Sequence, residues 1–514
     1  MMTSHLKHYE PLVQKLFEAL ELSDAQELAL IHPETKKVEN PAIAHIADFL
    51  KSADKLIICG DYDCDGIAST SLTVLLARKL GLDPGYYIPD RFKEGYGVNV
   101  NTIDAAHKKG YTDVLIIDNG VKAHVEIERA QSYGMRVAVV DHHIIEEPLP
   151  IEAFLHPDVC EPYAALMCAT GLIYCVAETM GLADDYMLSL AALATVADVM
   201  PLWGKNREIV RRGTKALNEN QFKQFDKIVK RNQYTHYSAK LLAFQLVPKI
   251  NSVGRMADVA NVNTVVQYFT TADDAIINSY SKQLLKLNDF RKEKGKQLQA
   301  VAMEKVTDDA IQIITDASFH EGLLGIVANQ VASVTQKPTL VLTEYETTFK
   351  GSGRSMTHSL QDIFSSINRD YFEAMGGHDF AFGMTIKKEF YAQFVTDVRA
   401  VVDTLPPFVQ TDTAIVSVDP EDVTHKAMRQ LTDFEPYGEA FKLPKVKIPL
   451  PAVYGLVNLN GYGFKFTFSD YPIQEAVFFT KQYTRNQLVG RTYMIGELDL
   501  SNTRKLSILI EDII

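Results

Sequence analysis

The sequence predicts an α/β protein of several domains: a parallel-sheet domain, a smaller α/β domain reached through a long helix, and a C-terminal all-β barrel. Three observations predict it. Short apolar runs alternate with helical segments between Lys55 and Val140, the pattern of βαβ units whose sheet is covered on both faces. Residues 272–306 form one long charged stretch with a sparse apolar stripe, which suits a helix bridging domains, and a second α/β pattern follows it. After Pro406-Pro407 come short β-type runs with turn residues between them, the spacing of a small barrel.

In order along the chain, residues 1–50 read as helices, with Leu12, Leu16, Leu20 and Leu22 near helical spacing and Pro41 opening a second segment. The run 55–59 (KLIIC) ends at Gly60, and a helix over 67–80 closes at Gly81. A second run, 114–117 (VLII), ends in Asp118-Asn119-Gly120; the helix after it stops at Gly134. A third, 137–140 (VAVV), ends in Asp141-His142-His143. Residues 164–217 are mostly helical and 220–245 polar and helix-prone. The second α/β pattern runs 311–315 (IQIIT), a helix over 323–334, a run at 339–342, and a helix over 359–367. The expected domains are an N-terminal helical segment (1–50), a catalytic domain (51–225), a helical region with the long connecting helix (226–305), a second α/β domain (306–405) and the barrel (406–514).

A chain of 514 residues exceeds one core; roughly 100–200 residues per domain implies three or four. With 46% hydrophobic and 23% charged positions, disordered, collagen-like and coiled-coil classes are excluded. The longest uncharged apolar stretch, 164–177, falls short of the ~18–20 residues of a membrane span, so no membrane partner is expected. The N-terminus lacks the apolar core of a secretory signal, and five cysteines form no CxxC pair, which fits a cytoplasmic location. A net charge of −13 excludes a body coated in basic charge but not a local positive groove.

The chemistry sits at the strand ends. The first run delivers Asp61, Asp63 and Asp65 followed by Gly66, the second Asp118, the third Asp141, His142 and His143. Sites in open parallel sheets form beyond the carboxyl ends of strands, so these side chains should converge. Several carboxylates in one crevice repel unless cations lie among them. Oxygen-rich donors with one or two imidazoles suit Mn²⁺ or Mg²⁺, not the thiolate site of structural zinc. Two such ions about 3.5–4 Å apart can clamp a phosphoryl oxygen. D-x-D-x-D-G also opens an EF-hand loop, but that loop needs Glu at its twelfth position. That position here is Leu72, and a β-type run precedes the motif where an EF-hand has a helix.

GDYDCDGIAST, IIDNG, VVDHH and LATVADVMPL resemble the four ordered motifs of the DHH phosphoesterase superfamily. IPDRFKEGYGVN, PLWGKNREIV, LVPKINSVGRM, FHEGLLGIVANQV, GSGRS and GGH are similar to its RecJ-like branch, single-strand-specific 5′→3′ DNA exonucleases, and the series covers most of residues 55–390 in family order. The resemblance implies a parallel-sheet DHH domain, a DHHA1 domain and a C-terminal OB-fold. It implies two Mn²⁺ or Mg²⁺ ions held by Asp61, Asp63, Asp65, Asp118, His142 and Asp198, with Asp118 bridging. Asp141 would orient an imidazole, although capping the strand end is its plainer role. His143 would face the substrate phosphate or leaving group. Asp198 would be a surface acid were it not set within the apolar run AALATVADVMPL.

The same resemblance implies that His378 contacts the scissile phosphate. Arg91, Ser352 and Arg354, with backbone N–H groups around Gly376 and Gly377, would hold a terminal 5′-phosphate. Asn251 and Arg255 would be further substrate contacts. Arginine suits phosphate because its planar fork binds bidentately, while a lone arginine is more often a surface ion pair. In the barrel, Tyr462, Phe464, Phe466, Phe468, Tyr471, Phe478 and Phe479 offer faces for base stacking. Phe464, Phe466 and Phe468 share a parity, which favours the core for that set and the opposite face for Lys465 and Thr467. Two positions depart from the family pattern: His156-Pro157 stands where Asn-Pro is common, and Phe382 where a small residue is common. No ligand is lost.

The implied activity is removal of 5′-mononucleotides from single-stranded DNA in repair and recombination, the strand threading between the DHH and DHHA1 parts. A single-strand-binding protein or a helicase is the implied protein partner. Two other readings stand beside it. A phosphodiesterase of short oligonucleotides or cyclic dinucleotides needs no barrel, so residues 410–514 disfavour it. A non-catalytic single-strand-binding replication protein would have lost metal carboxylates, and here each one is present.

Overall fold

The computed structural model describes residues 6–95, 97–408, 414–452, 454–459, 463–479, 485–488, 490–500 and 505–514. They divide into two compact units, one of Met1–Ile88, Tyr96–Val247 and Asp412–Ile514, the other of Pro89–Gly95 and Pro248–Thr411.

The first unit is built on a five-stranded sheet of β1 (Leu56–Cys59), β2 (Gly85–Tyr87), β3 (Asp113–Ile117), β4 (Arg136–Val140) and β5 (Phe154–Leu155), in the order β2-β1-β3-β4-β5. All neighbours are parallel. Every residue of β1 and β3 is buried, because side chains of alternate residues meet layers on opposite faces. Ile57, Val114, Ile116, Val137 and Val139 pack with Ile103 and Ile127 on one face. Helices Cys64–Lys79 and Ala169–Thr179 touch the sheet as well, and the latter begins a packed series with Asp185–Ala197 and Gly204–Glu219. The register aligns Cys59 with Ile116 and Ile117 with Val140, so Asp61, Asp118 and Asp141 leave the sheet at one edge. The helix expected from residue 67 starts at Cys64, because Asp63 caps it.

The C-terminal part of this unit is strand-rich, as expected of an OB-type domain. β11 (Ile415–Ser417), β12 (Lys445–Pro449), β13 (Gly455–Asn458), β14 (Phe464–Thr467), β15 (Glu475–Phe478), β16 (Tyr493–Leu500) and β17 (Leu506–Ile513) form one sheet in the order β11-β12-β16-β17-β15-β14-β13. Among the described residues no pairing joins β11 to β13, so a closed barrel is not seen there. Phe464, Phe466 and Phe468 are buried in its core, and Lys465 on the other face pairs with Glu475 at 2.9 Å. Of the remaining aromatics, Phe478 is buried, Tyr471 packs partly against the core and Phe479 is exposed; Tyr462 lies outside the described residues. The N-terminal helices do not form a separate body. Leu12, Leu16 and Phe17 share the core of the C-terminal sheet with Phe434, Phe441 and Phe466. Buried Arg207 ties the region down by donating to the carbonyls of Phe434 (2.6 Å) and Pro436 (2.9 Å).

The second unit holds the long helix, Asp274–Glu304, and a mixed sheet of β6 (Gln312–Thr315), β7 (Thr339–Glu344), β8 (Thr348–Arg354), β9 (Phe372–His378) and β10 (Ala381–Lys387) in the order β6-β7-β8-β10-β9. Helix Leu324–Thr335 packs on β7 and β8. The departure at Phe382 is a packing choice: its ring is buried against Phe364, centroids 4.8 Å apart. Among the described residues no helix is long and apolar enough to cross a membrane.

Candidate active site

Six of the sequence-predicted ligands lie together at the carboxyl edge of the parallel sheet. Three sets of ligand atoms each fall within 4.8 Å of one another: Asp61, Asp63 and Asp118; Asp118, His142 and His143; Asp65, His142 and Asp198. Asp118 and His142 each belong to two sets, so the sets are contiguous. Nε2 of His142 lies 3.2 Å from Asp118, 3.3 Å from Asp198 and 3.8 Å from Asp65.

Local structure fixes each acid. Asp63 Oδ1 accepts from the N–H groups of Asp65 (2.9 Å) and Gly66 (3.0 Å) as the helix N-cap. Gly66 is required because a Cβ there would stand 2.4 Å from the Asp61 carbonyl oxygen. Asp65 is gripped from elsewhere in the chain. Helix Ala169–Thr179 has no side-chain N-cap of its own, and its first N–H groups, Ala169 (2.8 Å) and Thr170 (3.0 Å), donate to Asp65 instead, as does the Thr170 hydroxyl (2.5 Å). Asp118 takes a left-handed backbone, φ 65°, one residue beyond β3, a conformation an aspartate tolerates. Asp198 is the C-cap of helix Asp185–Ala197.

The electrostatics are those of like charges out of water. Burial, then the charges of Asp65, Asp63 and Asp61, pushes the Asp118 carboxyl well above its ordinary range. The same causes, burial first and then Asp65, raise Asp198 to about 9. Burial and Asp65 raise Asp63 as well, and burial lowers the His142 imidazole. Nε2 of His142 and Oδ2 of Asp198 are buried and make no hydrogen bond among the described residues. A hard divalent cation relieves each of these features, and the carboxylate–imidazole donor set fits Mn²⁺ or Mg²⁺.

Asp141 is fully buried and turns to His143. One oxygen accepts from Nδ1 of His143 (2.7 Å) and from the N–H of His142 (2.7 Å), the other from the N–H of Val121 (2.8 Å). Burial alone would raise its pKa, but the hydrogen bond and charge of His143 outweigh that and hold it at about 2. Burial likewise opposes the His143 charge, yet Asp141 keeps that imidazole at about 9. The sequence argument missed three supporting residues. Thr170 is one. His156 is another: its Nδ1 accepts from the N–H of Asp158 (3.2 Å), so Nε2 carries the proton toward the His143 carbonyl (2.9 Å). An asparagine amide offers the same donor and acceptor, which accounts for histidine at this position.

The second unit gathers the opposite charge. Nη1 of Arg354 donates to Ser352 (3.0 Å) and to the Gly353 carbonyl (2.7 Å). Burial, then the nearby charge of Arg91, lowers the Arg354 pKa. Arg91 is there because Pro89–Gly95 belongs to this unit, and Phe92 within it packs edge-on against His320. Gly325 is the third missed residue: a Cβ would sit 2.8 Å from the Arg354 guanidinium and 3.2 Å from the Ser352 hydroxyl. The GSGR of GSGRS ends strand β8, and GGH ends β9. Gly377 (φ 152°) is needed where a Cβ would meet the Ala381 carbonyl at 2.3 Å, while Gly376 faces open space. His378 is exposed at the end of β9; Asn251 is half-buried, its Oδ1 without a hydrogen bond among the described residues, and Arg255 ends helix Val247–Arg255.

Comparison with known proteins gives the class first. Residues 55–201 match the DHH family, N-terminal domain, and residues 298–404 match the DHHA1 domain, so the chain carries both of these domains. Its organisation is RecJ-like. It is 27% identical over 543 aligned residues, 98% of this chain and 68% of that protein, to the single-stranded-DNA-specific exonuclease RecJ of Bacillus subtilis (strain 168). It shares its fold with RecJ in complex with Mn²⁺ from Thermus thermophilus, with a TM-score of 0.81 and 22% identity, over 98% of this chain and 78% of that one. Another solved structure, exonuclease RecJ bound to manganese, has a TM-score of 0.61 and 26% identity over 73% of this chain and 97% of its own.

Proposed function

We propose that this chain is a metal-dependent exonuclease that degrades single-stranded DNA 5′→3′ to 5′-mononucleotides, in DNA repair and recombination. The observation that carries the reading is the contiguous cluster of acids and imidazoles sharing Asp118 and His142. The names of the relatives supply the substrate: a single-stranded-DNA-specific exonuclease, and one bound to manganese.

Asp61, Asp63, Asp65, Asp118, His142 and Asp198 would hold Mn²⁺ or Mg²⁺, which when bound neutralises phosphoryl oxygens and makes water nucleophilic at neutral pH. Asp141 holds His143 protonated, so its Nε2–H is a donor for a phosphate or leaving oxygen. Arg91, Arg354 and Ser352, with the backbone at Gly376 and Gly377, bind the 5′-phosphate. His378, Asn251 and Arg255 contact the strand. The domains follow as DHH (51–225), connecting helices (226–305), DHHA1 (306–405) and OB-type (406–514), after the N-terminal helices. The cytoplasm suits five cysteines that are all free thiols among the described residues. A single-strand-binding protein or helicase is the partner such a substrate implies.

The test is digestion of one strand, labelled in turn at each end, with Mn²⁺ and with Mg²⁺. The 5′ label is expected to appear first as a mononucleotide. Release of the 3′ label first, or a strong preference for very short oligomers, overturns the reading.

A further inference from the structure

Gly322 and Gly325 lie three residues apart, where the turn Glu321–Leu323 runs into helix Leu324–Thr335 of the second unit. A Cβ on Gly322 would stand 1.9 Å from the Arg255 carbonyl oxygen and 3.0 Å from Cζ of Phe92. A Cβ on Gly325 would stand 2.8 Å from the Arg354 guanidinium. Positions three apart on a helix are neighbours, about 5–6 Å from one another. The Phe92 ring and the Arg354 guanidinium therefore lie against one helical turn, and Arg91, next to Phe92 in the chain, is brought close to Arg354.

That proximity needs an anchor. Two guanidinium groups repel, and the charge of Arg91, after burial, lowers the Arg354 pKa. Repulsion favours a segment that turns Arg91 out to water. The segment is closed on itself as a compact turn: Asp90 Oδ1 accepts from the N–H groups of Phe92 (3.0 Å) and Lys93 (3.2 Å), and the Asp90 N–H donates to Glu94 Oε2 (2.8 Å). Such a turn moves as one piece, so the seat of the Phe92 ring sets the place of Arg91. That seat is His320, ring centroids 5.7 Å apart and planes at 76°. His320 is itself fixed at both nitrogens. Nδ1 accepts from the Gly322 N–H (3.2 Å), so Nε2 carries the proton toward Asp258 (3.1 Å).

We propose that Phe92 is a positioning residue for recognition of the terminal 5′-phosphate: seated on His320 and Gly322, its ring holds Arg91 beside Arg354 before any anion arrives. This rests on the 5′-phosphate reading above. With the two cations brought together in advance, the incoming phosphate does not bear the cost of ordering them. Selection of a phosphorylated end then depends on an apolar ring as well as on the two arginines.

The experiment uses the full chain and short single strands that end in a 5′-phosphate or a 5′-hydroxyl. Binding is followed by fluorescence anisotropy in EDTA, and degradation with Mn²⁺ gives kcat and KM. The wild type is expected to prefer the phosphorylated end. Phe92→Ala is expected to lose about ten-fold of that preference, the scale of ordering one long side chain on binding, and to lose it in Kd and KM rather than in kcat. Phe92→Leu, which keeps an apolar seat, is expected to restore most of it. With Arg91→Gln already in place, Phe92→Ala is expected to take little more, because both act through one guanidinium. A Phe92→Ala variant that keeps the preference, or whose loss adds in full to that of Arg91→Gln, overturns the proposal. So does an equal loss on both ends, whether or not the variant melts lower, and so does a wild type that does not tell the two ends apart. A wild type that binds the phosphorylated end but degrades no strand overturns the nuclease reading alone, and anisotropy still decides the role of Phe92.

Discussion

The parallel sheet of the first unit and the mixed sheet of the second each collect groups of one sign, but they do so differently. β1, β3 and β4 run the same way, so their ends deliver Asp61, Asp118 and Asp141 to one edge although the residues lie far apart in sequence. In the second unit β7, β8, β10 and β9 alternate in direction, and only Arg354 comes from a strand end beside Ser352. Its companion Arg91 is supplied by an inserted segment, Pro89–Gly95. A parallel sheet concentrates charge through topology; an antiparallel one must borrow it. Both collections are unstable as they stand. Burial pushes Asp118 and Asp198 up and Arg354 down, each away from its charged form. Cations would complete the first, and the proposed 5′-phosphate would complete the second.

The sharpest break in this symmetry is Asp118→Ala. It removes one of the two residues shared between sets, and activity should fall by more than about a thousand-fold, as when a member of a catalytic unit is lost. The same substitution should raise the melting temperature of the metal-free protein, because it deletes a buried repelling acid, and should shrink the stabilisation by Mn²⁺. Thermal melts with EDTA and with Mn²⁺ check both signs. A lower metal-free melting temperature would show that Asp118 is satisfied without cations.

The arginine side gives the next effect. Arg354→Gln should cost about 1.5–3 kcal/mol of binding, the range for a charge-assisted hydrogen bond, or roughly ten- to a hundred-fold in KM. The loss should fall on 5′-phosphorylated strands and spare 5′-hydroxyl ones. Equal loss on both would assign Arg354 to general strand binding.

These effects differ in how far the sequence announced them. The acids were readable because each follows an apolar run, and strand ends in a parallel sheet converge. Asp65 being held by the Thr170 helix was not readable: the signal is a missing N-cap at Cys168, and its partner lies a hundred residues earlier. Gly325 was hidden for the same reason, since a glycine in a helix names no neighbour until Arg354 stands over it. The parity of Phe464, Phe466 and Phe468 gave their burial directly, because strand alternation is local. The packing of Leu12 and Phe17 against the C-terminal sheet could not be seen from spacing, which reports an apolar stripe but not what covers it.

A pH series separates the two collections by sign. A carboxyl raised to about 9, as Asp198 is, stays protonated in the folded protein while its unfolded counterpart ionises near pH 4. Metal-free stability therefore falls as pH rises from about 4 toward 9. Mn²⁺ must displace that proton, so its affinity should climb up to about ten-fold per pH unit per proton released, levelling near pH 9. Mn²⁺ titrations followed by electron paramagnetic resonance at several pH values measure the slope. A flat profile would mean that Asp198 is already ionised without metal.

The smallest effect concerns the neutral scaffold that lets the acid centre differ from the arginine pocket. His156 is not a member of the three metal sets; it donates to the His143 carbonyl and accepts from Asp158 N–H. His156→Asn keeps one donor and one acceptor and should change kcat and Mn²⁺ affinity by less than about three-fold. His156→Leu keeps the bulk but strands the carbonyl, and should cost about ten-fold or more in Mn²⁺ affinity or rate, the range for supports of metal ligands. If His156→Asn proves as damaging as His156→Leu, the imidazole itself does the work, and its hydrogen-bond pattern does not explain why histidine stands there.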